Sequence, residues 1–351
     1  MEPLNTDEKI LQIIKNIILA EKNIQLIKTR LLSKNGATII NVDNKLKIII
    51  PLQDTYSNAG VGIGRVIDTS EYVTDNITLY SDIYEIVLDQ PIHFENPIIL
   101  QIQYNPDEIE EINNIAVYYF NEITKKWEYV GGKVDTKNNT IIVELNHLSK
   151  YALLSDKNMI KMEDINDRWS KDIVYRLISK GVVNGVKVND KYFYYPKRAI
   201  TRQEFAKLAV GVSDDDINSI DMKNIFIDAD QVSTWATEYV STAYKNKWIQ
   251  GITVKDGQKF EPNRQITRAE AAVLLGIISK EQKDITPSKF ADSGEIPKWA
   301  KEYVDQLVSK KIINGYPDNT FRPNQFITRE EAASMIDKFM EINELYKRLN
   351  N

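Results

Sequence analysis

From Met162 onward the chain repeats itself three times, with a period of about 64 residues. Each copy begins with an aromatic residue or Met, followed by Asp, then a Trp that opens a helix. An apolar-Asn/Gln-Gly turn comes next, and a Pro and Ile-Thr-Arg close the unit. Copy one reads MEDINDRWSKDIVYRLISKGVVNG with YYPKRAITRQEFAKLAV. Copy two reads FIDADQVSTWATEYVSTAYKNKWIQG with FEPNRQITRAEAAVLL, and copy three reads FADSGEIPKWAKEYVDQLVSKKIINGYPDNTFRPNQFITREEAASMI. Thr201 to Glu204, Thr267 to Glu270 and Thr328 to Glu331 are capping boxes, in which hydroxyl and carboxylate reciprocally satisfy the open N–H groups of a first helical turn. Phe205, Leu208, Ala209 and Val212 follow at helical spacing, as do Ala271, Leu274, Leu275 and Ile278, and Ala332, Met335, Ile336 and Phe339. Ala271, Ala272, Ala332 and Ala333 let helix backbones approach closely.

The remainder of the 351 residues calls for one or two further domains. Thr6 is a candidate N-cap of a helix reaching about Leu32 and stopping at Gly36. Ile10, Ile13, Ile17, Ala20, Ile24, Ile27 and Leu31 form an a/d seam that reads either as a short coiled coil, hence self-association, or as a helix docked on the next domain. Leu11, Ile14, Ile18, Leu19 and Leu26, off the seam, favour docking. From Ala37 to about Asp156 the period is two, with strands expected near Lys45 to Ile50, Ile77 to Tyr80, Tyr84 to Leu88, Ile98 to Tyr104, Ile115 to Phe120, Trp127 to Val130, Thr140 to Leu145 and Tyr151 to Leu154. That pattern reads as an antiparallel β-sandwich.

The triplicate motif resembles the S-layer homology (SLH) domain, whose pattern is F-x-D, a helix-opening Trp, G-I-I-x-G-Y, a D-G-x-F-x-P loop and I-T-R-A-E. The segment AVYYFNEITKKWEYVGGKVDTKNNTIIVELNHLSKYALL resembles the Ig-like β-domain that often precedes wall-anchoring repeats in surface proteins of Firmicutes. The SLH resemblance implies a pseudo-threefold bundle with carbohydrate grooves between neighbouring repeats, and secondary cell-wall polysaccharide, often carrying a pyruvate ketal, as ligand. It implies no catalysis. The expected class is α+β multidomain, an N-terminal helix and an antiparallel β-sandwich followed by an all-α pseudo-threefold bundle. Expected boundaries are 1–36 for the amphipathic helix, 37–156 for the sandwich, and 157–217, 218–283 and 284–351 for the repeats.

Arg202, Arg268 and Arg329 follow the capping threonines at the positive ends of helices, where the macrodipole disfavours a cation by about 0.3–1 kcal/mol when exposed. An unfavourable choice made in every copy points to a use. One is a planar fork for the carboxylate of an acidic sugar, assisted by nearby helix N–H groups, and the other is a strut to a carboxylate of the adjacent repeat. Asp164, Asp228 and Asp292 match the F-x-D aspartate, either bonding sugar hydroxyls or closing an Asx-type turn. Trp169, Trp235 and Trp299 are expected first as core anchors, with an indole edge available to a sugar. Gly185, Gly251 and Gly315 are expected to supply positive φ, or to let a sugar approach the backbone. Tyr316 stands where the other copies have Val186 and Ile252, so grooves built from copy three are expected to be best formed and Arg329 to matter most.

The absence of cysteine excludes disulfides and thiolate sites, and only His93 and His147 are available as imidazoles. A net charge of −5 argues against a general nucleic-acid binder. No stretch has the length of a membrane span, and the acidic opening Met-Glu-Pro-Leu-Asn-Thr-Asp-Glu lacks the positive region of a secretory signal, so an exported protein would be a mature chain or a fragment. Ser213 to Asp216 lacks calcium-loop spacing and reads as a linker, and no catalytic motif stands out. No cofactor or metal is expected. The sequence thus points to a non-catalytic, extracellular protein of the Gram-positive wall or S-layer, anchored to polysaccharide. The alternatives are the anchoring end of a glycan-active enzyme and a protein-binding adhesin.

Overall fold

The computed structural model describes residues 6–33, 37–51, 59–92, 94, 96–213, 215–217, 220–279 and 285–350, with only the backbone course given for 343–350. Gly36, His93 and Asp214 lie outside the described residues. The chain divides into two compact units, Met1–Met159 and Ile160–Asn351.

The first unit begins with α1 (Thr6–Ala20) and continues through β1 (Ile24–Leu31), β2 (Thr38–Val42), β3 (Leu46–Ile50), β4 (Gly60–Val66), β5 (Ile77–Leu79) and β6 (Tyr84–Leu88). Then come β7 (Ile98–Gln103), β8 (Ala116–Asn121), β9 (Lys126–Gly131), β10 (Lys133–Asp135), β11 (Thr140–Leu145) and β12 (Lys150–Asp156). One sheet has the order β1-β4-β6-β12-β8-β9 with β5 alongside β12, and the other has β10-β11-β7-β3-β2. The inward alternation of Ile40, Val42, Leu46, Ile48, Leu100, Ile102 and Ile141 on one sheet meets Val61, Ile63, Ile86, Tyr151 and Leu153 on the other, forming one sandwich core. Every strand expected from the sequence is present.

The expected helix to Leu32 is not. It ends at Ala20, and Ile24–Leu31 pairs antiparallel with β4, so the heptad seam is cut between Ala20 and Ile24. Of the off-seam residues Ile14 and Ile18 are buried and Leu19 is exposed, and of the seam residues Ile10 is buried whereas Ile13 and Ile17 are exposed. The docked helix rests on a strand that lacks side chains for it to clash with: a Cβ built on Gly62 would lie 2.2 Å from Ile14 Cγ2 and 2.9 Å from Ile18 Cδ1. Gly62→Ala is therefore expected to cost about 1–3 kcal/mol through overpacking, read as a lower denaturant midpoint. An unchanged midpoint would mean that α1 is not seated on β4.

The second unit contains α2 (Lys171–Ser179), β13 (Val186–Val188), β14 (Lys191–Phe193), α3 (Arg202–Gly211), α4 (Thr237–Lys245), β15 (Ile252–Val254), β16 (Gly257–Lys259), α5 (Arg268–Ile278), α6 (Lys298–Ser309) and α7 (Arg329–Asn350). The expectation of an all-α bundle is overturned. Copies one and two each insert a β-hairpin between their helices, β13 with β14 and β15 with β16. The first turns on Asn189 and Asp190, both at positive φ, as a two-residue hairpin requires. Copy three replaces the hairpin with a loop in which Tyr316 N–H donates to Thr320 O at 2.9 Å.

Helices of different copies pack in pairs, α3 on α4, α5 on α6 and α7 on α2. The last pair joins copy three back to copy one. Arg176 donates from Nε and Nη2 to Asp337 at 3.1 and 2.6 Å, while Ser170 and Arg168 both reach Glu330.

Candidate functional site

All three helices that follow Ile-Thr-Arg begin with the capping box expected of them. The Thr201, Thr267 and Thr328 backbone N–H groups donate to Glu204, Glu270 and Glu331 at 2.8 to 2.9 Å. Each glutamate's own N–H returns the bond to the threonine hydroxyl at 3.3 to 3.4 Å. Thr267→Ala is expected to destabilise this unit by about 1 kcal/mol, measurable as a lower melting temperature. No change would mean that the cap hydroxyl is replaced by water without loss.

The residues before the caps link the copies in a closed circuit. Ile200 N–H donates to Ile327 O, Ile327 N–H to Ile266 O, and Ile266 N–H to Ile200 O, at 3.0 to 3.2 Å. The first helical N–H groups point across the same seams, Arg202 to Arg264 O, Arg268 to Gln325 O and Arg329 to Arg198 O, each at 2.9 Å. The second helical N–H groups find the carbonyls of Pro262, Pro323 and Pro196. The donors that a helix start leaves open are thus occupied by protein, and the expected help of helix N–H groups toward an anion is absent.

The Arg268 side chain is buried at its seam and those of Arg202 and Arg329 are 11 % exposed, which removes the premise of an exposed N1 cation. Arg202 donates from Nε to Phe260 O at 2.9 Å and from Nη1 to Glu270 at 3.3 Å, with its guanidinium 5.2 Å from the Phe260 ring. Arg329 repeats this arrangement on copy one, Nε to Tyr194 O at 2.7 Å, Nη1 to Glu204 at 3.4 Å, and 4.6 Å from the Tyr194 ring. These two arginines have the geometry of struts.

Arg268 departs from the pattern. It is 6 % exposed and donates from Nη2 to Asn314 O at 2.7 Å, but its Nε has no partner and no carboxylate among the described residues lies within ion-pair distance. Its guanidinium sits 4.9 Å from the Tyr316 ring and 5.2 Å from the Phe321 ring. Burial pulls its pKa below the usual guanidinium value. The cause can be traced to two residues of copy three. Arg198 and Arg264 stand three residues before the capping threonines of copies one and two and pair with Glu204 and Glu270 at 2.5 Å, but copy three has Gln325 there. Glu331 instead accepts the hydroxyl of Tyr316 at 2.5 Å, and burial pushes that phenol up to about 12. A second guanidinium, Arg322, stacks 4.0 Å from Tyr316 and is held by Asp318, whose carboxyl is lowered to about 2 by its bonds to Thr320 and Arg322.

Asp164, Asp228 and Asp292 spend both carboxylate oxygens on backbone. Each accepts two successive N–H groups, Tyr194 and Tyr195, Phe260 and Glu261, and Phe321 and Arg322, at 2.7 to 2.9 Å. The second residue of each pair has φ between 55° and 58°. The aspartates thus hold a left-handed turn that β-carbon-bearing residues enter at a cost.

Gly185, Gly251 and Gly315 do not supply positive φ, which falls instead on Gly181, Lys247 and Lys311 at the ends of the preceding helices. They are small because the first residue of each copy presses on them. An added Cβ would lie 2.4 Å from Met162, 2.8 Å from Phe226 and 2.7 Å from Phe290. The tryptophans are not core anchors. Trp169, Trp235 and Trp299 are 57 %, 48 % and 56 % exposed, and the small residues after them, Ser170, Ala236 and Ala300, are the ones fully buried. Trp235 lies 5.6 Å from the Lys207 ammonium, five residues along α3 from Arg202 and so about 7.5 Å up the helix axis. The structure brings Arg268 and Tyr316 together, and each arginine to the loop that an aspartate holds. Arg322, Gln325, Tyr194 and Phe260 were missed in the sequence, where only the Arg/Gln difference three residues before the cap marks copy three as distinct.

A family model described as S-layer homology domain matches residues 161–206, 226–272 and 289–333. An amylopullulanase of Thermoanaerobacterium thermosulfurigenes is 28 % identical over 88 % of this chain and 16 % of its own length. The S-layer protein sap of Bacillus anthracis is 34 % identical over 49 % of this chain and 20 % of its own length. A cellulosome-anchoring protein of Acetivibrio thermocellus is 31 % identical over 42 % of this chain and 33 % of its own length. The chain therefore spans a third or less of each of these relatives.

Proposed function

We propose, for a chain that carries three tandem S-layer homology domains, that it anchors a surface protein to the bacterial cell wall by binding an acidic wall polysaccharide, and that the acidic group is taken at Arg268. The observation that carries this reading is the buried Arg268 guanidinium, left without a carboxylate while its two counterparts each have one. A desolvated cation over an aromatic face, with no protein carboxylate opposite it, is suited to the carboxylate of a sugar substituent. Tyr316 and Arg322 line the same place, and the exposed indoles offer sugar-stacking faces farther out. Arg202 and Arg329 hold the copies together, so the weight once expected at Arg329 passes to Arg268. The S-layer and cellulosome-anchoring relatives support a location outside the cell, on the wall.

The similarity to an amylopullulanase extends over the β-sandwich as well as the repeats but covers only 16 % of that enzyme. It favours a second, compatible reading in which this chain is the anchoring end of a longer glycan-active protein. Co-sedimentation with purified wall sacculi, before and after their polysaccharide is stripped, tests the anchoring. Pelleting with intact sacculi and release after stripping supports it, and equal pelleting with both would turn the reading toward peptidoglycan or protein.

A further inference from the structure

A cleft of about 390 Å³ opens at one end of the sandwich, where Tyr80 to Tyr84 of one sheet meets the β7 end, the β2–β3 turn and the β10–β11 turn of the other. Its volume is within the range of small-ligand sites. Tyr84 and Tyr104 are almost fully buried in its wall and Tyr80 is half-buried. The loops are tied before any ligand arrives. Gln103 N–H donates to Lys45 O, Tyr104 N–H to Asn139 O, and Tyr80 N–H to Leu153 O, at 2.8 to 2.9 Å. Asp43, Asn44 and Asn139 hold the two tight turns at positive φ.

Some polar groups of this cleft are engaged, Ser81 with Asp82 O and the Leu153 N–H, and Asn105 with Glu108 and the Asp107 N–H, and others are not. Tyr104 is 6 % exposed, yet its hydroxyl makes no hydrogen bond to the described protein, and neither do the side-chain amides of Gln103 and Asn139. Charge is balanced nearby. Asp82 lies 3.9 Å from Lys45 and 3.7 Å from Arg65, and Glu108 on the same wall adds a second carboxylate, so two cations face two anions and neither sign of ligand charge is favoured. The half-buried Tyr80 ring, beside the neutral amides of Gln103 and Asn139 and the Tyr104 hydroxyl, suits a ligand with apolar C–H faces and many uncharged hydroxyls.

We infer that this cleft is a second carbohydrate site, for a neutral oligosaccharide, independent of the acidic-group site at Arg268. Neutral stretches of the wall polysaccharide and glycans from outside the cell share that chemistry.

The test is calorimetric titration of the full chain with cellohexaose, xylohexaose and maltohexaose. Saturable binding of at least one is expected, weakened about tenfold by Gln103→Ala combined with Asn139→Ala, weakened by Tyr104→Phe, and unchanged by Arg268→Ala. The melting temperature of Tyr104→Phe serves as the fold control. Competition by wall polysaccharide stripped of acidic groups assigns the ligand to the wall, and its absence assigns it to external glycans, both supporting the cleft. Failure of all three sugars to bind, binding indifferent to these cleft variants, or binding lost with Arg268→Ala would overturn it.

Discussion

Arg268→Ala is expected to release the protein from purified walls while melting close to the parent, whereas Arg202→Ala and Arg329→Ala are expected to melt lower. The three residues are equivalent in the repeat, and the difference lies in what each charge meets. Removing Arg202 forfeits a charge-assisted bond to Phe260 O and the contact with Glu270, a loss of about 1.5–3 kcal/mol for a buried, charged hydrogen bond. Arg329 loses the same pair of contacts, to Tyr194 O and Glu204. Removing Arg268 gives up one bond to Asn314 O but also relieves an unpaired buried charge, and the two terms oppose. A bound carboxylate, by contrast, loses its counter-ion, so about a tenfold or greater loss of wall affinity is expected. Arg268→Met, which keeps most of the side-chain volume, separates the charge from the packing. Melting curves and sacculus-binding isotherms on the same variants check both parts. An Arg268→Ala protein that melts many degrees lower and still binds walls would make all three arginines struts.

Glu270→Gln should be the most damaging single change at the seams, by about 2–3 kcal/mol. Gln can still serve a capping box, but the charge that faces Arg264 at 2.5 Å and Arg202 at 3.3 Å is gone, leaving two guanidinia together. Burial raises the Glu270 pKa, yet the hydrogen bonds from Arg264 and the Thr267 N–H outweigh it and the folded value is lowered. A lowered carboxylate contributes stability that is fully present above the unfolded value, about 4.3, and is lost as pH falls through the folded value. The parent is therefore expected to lose melting temperature on acidification below about pH 4, and Glu270→Gln to lose less over the same interval. Equal melting of the two proteins at pH 7 would show that the carboxylate is not what joins copy one to copy two.

The capping boxes were legible because their rule is local, a Thr and a Glu three residues apart. So were the strands that alternate cleanly. β4 was hidden because Gly60, Gly62 and Gly64 depress a strand reading, although those glycines are what α1 needs beneath it. The Ile-rich run to Leu31 satisfies a heptad seam and a strand equally well, and only the pairing with β4 decides between them. The hairpins of copies one and two have strands of three residues, too short for a period to show.

Side-chain placement was less legible because it depends on contacts far away in sequence. Helical spacing put the tryptophans on a regular face, but the closeness of the paired helices admits only Ser170, Ala236 and Ala300, which turns each indole outward. The glycines of the apolar-Asn/Gln-Gly turn are explained by Met162, Phe226 and Phe290, more than twenty residues earlier. The dipole argument flagged the three arginines as a group, but it could not show that Gln325 and Tyr316 set Arg268 apart.

The most direct test of the account is a titration of the parent and of Arg268→Met with one wall polysaccharide, before and after its acidic substituents are removed by mild acid. The parent is expected to bind the acidic form at least about tenfold more tightly than the neutral form, and Arg268→Met to bind both forms alike. A parent indifferent to the substituent, or an Arg268→Met protein that keeps the parent's preference, would contradict the assignment of the acidic group to Arg268.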